Sequence, residues 1–212
     1  FLLSIPLFSV YLMNYDRQSR SETARTSIAE GWGGPQTIAG PVLVIPYQAQ
    51  TTETVEEGGK QVTKSRLVWR ELTLAPETAS IESTLKPERR QRSIYEAVVY
   101  EAGISGSARF ALPSDLARFG VSANALALDR AELRFGLSDT RGLFGPPPKV
   151  SIAGKPLVLQ TGNGLPATNG AGFYAWVDAS ALLSAPIATD FAYAFRGNGW
   201  LTLSPRAGDT TW

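Results

Sequence analysis

Glu30-Gly31-Trp32-Gly33-Gly34-Pro35-Gln36-Thr37-Ile38-Ala39-Gly40-Pro41-Val42-Leu43-Val44-Ile45-Pro46-Tyr47 is the stretch that decides the fold. Its first half ends a helix: Gly31, Gly33 and Gly34 followed by Pro35 cannot continue one. Its second half starts a sheet. Residues 42–45 are an apolar run between two prolines, the pattern of a strand buried on both faces. Pro41 and Pro46 have no ladder donor, so they belong at a strand start, an edge or a bulge. The glycines could form a backbone nest for an anion. No Lys-Ser/Thr follows as in a phosphate-binding loop, so a tight turn docking a helix end onto a sheet is the preferred reading.

Upstream, residues 1–13 are apolar and uncharged, but a bilayer span needs about 20 such residues. The chain opens on Phe1, and the expectation is a transmembrane anchor cut within its helix. A signal-peptide core and a buried helix are the alternatives. Asn14-Tyr15-Asp16-Arg17 offers no small-residue cleavage site, and Tyr11 and Tyr15 suit an interfacial belt. Residues 14–34 predict a juxtamembrane helix, with Ala24, Ile28 and Trp32 along one edge. Its charges cancel, so the positive-inside rule gives no orientation.

Composition narrows the chemistry. Lys plus Arg number 20 against 19 Asp plus Glu, so the net charge gives no general pull toward nucleic acid or anionic lipid. The chain has no Cys and no His, which excludes disulfides, thiolate nucleophiles, Cys/His zinc sites and Ser-His-Asp triads. A carboxylate-only Mg²⁺ or Ca²⁺ site stays open. No catalytic, cofactor or metal residue is assigned.

Downstream, residues 35–212 predict a mainly β domain of antiparallel, sandwich-like sheets with few short helical turns. Residues 48–64 suit a hairpin tip or a loop. In residues 66–75, Val68, Leu72 and Leu74 are in phase and Trp69 faces the other way. Residues 86–92 (Lys-Pro-Glu-Arg-Arg-Gln-Arg) suit a charged turn, either solvated or meeting phosphate head groups. Residues 93–101 and 105–112 suit two strands. Residues 114–120 suit a helical turn capped by Ser114 and stopped by Gly120. Ala131, Leu133, Phe135 and Leu137 alternate with Arg130, Glu132 and Arg134, predicting one buried and one wet face. Residues 191–195 and 200–203 flank Gly197-Asn198-Gly199 as a final hairpin.

The candidate interaction or ligand residues are Trp32, Gln36, Trp69, Asp139, Arg141 and Trp176. Ser138-Asp139-Thr140-Arg141-Gly142 could place an anion-clamping Arg beside an Asp acting as base or metal ligand. It equally describes a turn in which Asp139 bonds its own backbone, Arg141 pairs with it and Gly142 supplies positive φ. The tryptophans could stack on sugar rings or simply fill a core.

The quoted stretch resembles the start of the CreD family. So do Ser93-Ile94-Tyr95-Glu96-Ala97-Val98-Val99-Tyr100, Leu137-Ser138-Asp139-Thr140-Arg141-Gly142-Leu143 and Leu201-Thr202-Leu203-Ser204-Pro205. The resemblance implies a bacterial inner-membrane protein associated with cell-envelope integrity. It implies one N-terminal membrane helix, a large periplasmic domain and further membrane helices, the last expected to lie beyond Trp212. The partners expected are the bilayer, through the N-terminal helix, and other envelope proteins or a lipid or glycan. Three functions stand side by side: a non-enzymatic envelope protein, a lipid- or glycan-binding module, and a carboxylate-based hydrolase. An enclosed apolar cavity would mark the second, and converging carboxylates in a cleft the third.

Overall fold

The computed structural model describes residues 8, 10–13, 15–18, 23, 27, 32–57, 60–92 and 94–212. Most of the expected anchor (1–13) and juxtamembrane helix (14–34) lies outside the described residues; the positions described between Phe8 and Ser27 are helical. No helix among the described residues is long and apolar enough to cross a membrane.

From Gln36 onward the chain is a two-sheet sandwich. Its strands are β1 (Gln36–Glu57), β2 (Lys60–Leu74), β3 (Thr78–Arg92), β4 (Tyr95–Phe110), β5 (Ala131–Leu137), β6 (Lys149–Ile152), β7 (Lys155–Pro156), β8 (Gln160–Thr161), β9 (Gly172–Val177), β10 (Ile187–Asn198), β11 (Leu201–Ser204) and β12 (Asp209–Thr211). The first sheet runs β11-β1-β5-β9-β8, with β2 also on β1; the second runs β12-β3-β4-β10-β6-β7. Most pairs are antiparallel, but β11 joins β1 and β12 joins β3 in parallel. The mainly β, sandwich-like expectation holds.

Residues 42–45 are buried on both faces of β1. The register between β1 and β5 shifts between Ala39 and Val42, so Pro41 sits at a bulge. Pairing with β5 runs only to Val44, so Pro46 has β2 on one side and no central ladder to break. The inward faces meet in one core. Phe135 and Phe173 of the first sheet stack at 5.0 Å, and Phe191 and Tyr193 of the second meet them edge-on at 5.4 and 5.3 Å. Burial pushes the Tyr193 phenol pKa up. One cavity between the sheets, lined by residues such as Ile38, Ile81, Ile104 and Phe191, holds about 10 Å³. That is room for one water at most.

Five local expectations need correction. Residues 86–92 are not a turn: they form the end of β3, paired through Arg92↔Tyr95. The two strands expected at 93–101 and 105–112 are a single β4. The wet face of β5 is covered, with Glu132 only 7% exposed. Leu165 packs there against Ala39, Val42 and Val44, while Arg134 bridges Glu132 at 2.7 Å and Glu71 at 2.9 Å. Burial alone would lower the Arg134 pKa; the Glu71 and Glu132 carboxylates outweigh it and raise it. The final hairpin is not a pair: β10 lies in the second sheet and β11 in the first. The turn at Gly199 (φ 70°) carries the chain from one layer to the other. The helical turn at Leu116–Phe119 is capped by Asp115, not Ser114, and stopped by Gly120 in the left-handed region.

Candidate functional site

Four of the six candidate residues converge where the chain enters the sandwich. Gln36, first residue of β1, is fully buried and uses its whole amide. Its Nε2 donates to the carbonyl oxygens of Asp139 and Arg196, both at 3.1 Å. Its Oε1 accepts from the Ser138 hydroxyl at 3.2 Å and the Asp139 N–H at 3.1 Å. Its own backbone N–H donates to the Trp200 carbonyl at 3.1 Å. One side chain thus joins the start of β1, the turn after β5 and the end of β10.

Asp139 begins the 3₁₀ turn Thr140–Gly142. Its carboxylate accepts from the Arg141 N–H at 3.1 Å and the Gly34 N–H at 3.2 Å. The Arg141 guanidinium grips it in a fork, Nε and Nη2 each at 2.9 Å. The hydrogen-bonded Arg141 side chain is the main reason the Asp139 pKa lies below the usual carboxylate range; burial opposes it, and the Gly34 and Arg141 N–H groups add smaller lowering effects. Both carboxylate oxygens are engaged, which is the turn arrangement rather than a free base. Gly142 does not supply positive φ. It supplies space: a Cβ there would lie 2.5 Å from the Arg196 carbonyl oxygen and 2.6 Å from Gln36 Nε2. Gly197 serves likewise under Tyr100 and Gln36.

The remaining ties complete the junction. Asn198 donates through Nδ2 to the Gly33 carbonyl at 2.8 Å, and Tyr100 donates through its hydroxyl to the Trp200 carbonyl at 2.9 Å. Burial raises the Tyr100 pKa. Trp32 lies between two cations, with the Arg90 and Arg196 guanidinium carbons each 4.8 Å from its ring centre. Arg196 also stacks on Phe144 at 4.3 Å and pairs with Glu101 at 2.8 Å.

Trp69 and Trp176 do not join this cluster. They lie on the outer side of the first sheet, 56% and 53% exposed, on β2 and β9 with β1 and β5 between them. Three strand spacings of about 4.8 Å separate them laterally, and Trp69 lies level with Gln48 while Trp176 lies level with Val44, four residues apart along β1. Arg130 approaches the Trp69 ring at 5.9 Å, and Tyr174 meets Trp176 edge-on at 6.1 Å. Sequence reading missed Tyr100, Arg90, Arg196 and Asn198. The signal available was Gly197-Asn198-Gly199, taken only as a hairpin tip. Among the described residues no group of three or more carboxylates could hold a metal ion. Shallow grooves of about 350 and 490 Å³ lie on the outer side of the second sheet, lined by residues such as Gly103, Ser105, Ala192 and Lys149.

No solved structure matches the chain. Inner membrane protein CreD of Escherichia coli (strain K12) is 26% identical over 170 residues, covering 77% of this chain and 35% of that protein. The chain therefore spans about a third of the length of this curated relative. The family model for inner membrane protein CreD matches residues 1–212, and the chain belongs to that family.

Proposed function

We propose that this chain works as the non-enzymatic periplasmic β domain of an inner-membrane protein that contributes to cell-envelope integrity or the envelope stress response. Family membership supports the membrane setting. The apolar helical positions Phe8, Val10, Leu12 and Met13, all exposed, are consistent with a bilayer-facing segment. The observation that carries the non-enzymatic part is the state of Asp139. The most plausible catalytic carboxylate spends every contact on Gly34 and Arg141, fastening the entering chain to the sandwich. The small size of the cavity between the sheets likewise favours work through surface contacts over a ligand held there.

The test uses the full-length protein in cells lacking their own copy. A cysteine at Thr63, on exposed β2, is expected to react with a membrane-impermeant maleimide once the outer membrane is opened. Reaction only after lysis would place the domain in the cytoplasm. Detergent resistance should be restored equally by the wild-type protein and by Asp139→Asn. A folded Asp139→Asn protein that restores none would sink the non-enzymatic reading and return Asp139 to a catalytic role.

A further inference from the structure

The β3–β4 hairpin leaves the sandwich at the same end as the junction. Pairing of β4 with β10 stops at Val99↔Asn198, while β3 and β4 continue as a two-stranded ribbon to Arg92↔Tyr95. The ribbon is tied to the entry point: Arg90 stacks on Trp32, and the Gly199 N–H donates to the Val98 carbonyl at 3.1 Å. Residues 86–98 carry four basic residues against two acidic ones. Arg90 is used on Trp32 and Glu88. Arg89 is exposed and has no ion-pair partner among the described residues; Lys86 lies further back, in the sheet itself, opposite Glu101. Ile94 at the ribbon's turn is 78% exposed, and Trp200 on the neighbouring turn is 65% exposed. An unpaired cation on the ribbon that ends in an exposed aliphatic, with an indole on the neighbouring turn where the N-terminal segment joins, is the set of side-chain types that settles at a bilayer interface.

We propose that the β3–β4 tip and Trp200 form a collar that rests on anionic phospholipid head groups of the membrane holding the N-terminal segment. Arg89 meets the phosphates, while Ile94 and the Trp200 indole enter the interfacial layer. This rests on the membrane anchoring proposed above, and the two can fail separately. Head-group attraction acts within a Debye length of roughly 10 Å, so the tip must sit against the lipid.

The test places the chain in lipid nanodiscs with or without phosphatidylglycerol. A fluorophore is attached at Ile94→Cys, in a segment with no native cysteine, and doxyl-labelled lipid serves as quencher. A label at Thr54→Cys on the opposite ribbon is the control. Quenching is expected at position 94 and absent at position 54, strongest with phosphatidylglycerol. The contact constant should drop about fivefold for Arg89→Gln, as expected for a cation near an anionic surface. Equal quenching with and without anionic lipid, or no effect of Arg89→Gln, overturns the head-group contact. No quenching in chains that do sit in the discs overturns the collar and leaves the anchor standing. Chains that stay outside the discs overturn both.

Discussion

Gln36 shows how one polar side chain can replace a hydrophobic contact. All four hydrogen-bonding positions of its amide are met inside a site without solvent. Gln36→Leu fills the same volume and takes away the donor to the Arg196 carbonyl and the acceptor of the Asp139 N–H, while the Asp139 carbonyl still accepts from the Gly142 N–H. Each unmet buried group costs about 1–3 kcal/mol, so a loss of roughly 2 kcal/mol or more is expected, read as a lower urea midpoint at unchanged slope. A midpoint within experimental error of wild type would show that water replaces the amide freely. Asp139 adds a pH dependence of known sign. Its folded-state pKa lies below the unfolded value, so its pairing stabilises fully above pH about 4 and fades as pH falls through the folded value. The stability gap between wild type and Asp139→Asn should therefore be present at pH 6 and shrink toward pH 3. It should also be small, because Arg141 is largely exposed and such pairs are screened. A gap that does not change with pH would rule out loss of the carboxylate charge as its source. At this scale the sequence was half legible. Asp139, Arg141 and Gln36 could be singled out by type and spacing. Their partners Arg196 and Asn198 lie some 160 residues from Gly33 and Gln36, and no local pattern announces such a meeting.

Among the elements, the strands whose two faces differ were the readable ones. β5 and the start of β1 declare themselves because burial imposes a period of two or an unbroken apolar run. Failures came where burial stops. Residues 86–92 carry charges on both faces because the ribbon there has solvent on both sides, and an element with no buried face has no period to detect. Likewise, β1 and β2 continue past Gln48↔Trp69 to Glu57↔Lys60, about 30 Å of two-stranded ribbon, where a hairpin tip or a loop was expected. An isolated ribbon of this kind is marginal in water; cross-strand pairs such as Glu53↔Lys64 and Val55↔Val62 help to hold its register. Since its residues are mostly exposed, replacing residues 52–65 with Asn-Gly between Thr51 and Arg66 should lower Tm by no more than about 4 °C, an effect near 1 kcal/mol for a chain of this size. A drop beyond 10 °C would mean that the ribbon supports the sandwich directly.

In the whole molecule, the class of fold was visible from turn spacing and strand patterning, while the order of strands was not. The reason is geometric. The junction at Gln36 and the two parallel strands β11 and β12 depend on pairings between segments far apart in the chain, and Gly197-Asn198-Gly199 makes a hairpin or a crossing between layers with equal ease. The crossing puts the last strands in charge of both sheets: Gln36 pairs with Leu201, and Thr78 with Asp209. Such long-range closures are slow to form. On a ribosome the consequence is one of timing. The starts of β1 and β3 emerge early and wait, uncovered, until residues 201–211 have been made. During that interval they are open strand edges on which another nascent chain could pair, so the vulnerable period of this domain is set by the rate of translation as well as by its own stability.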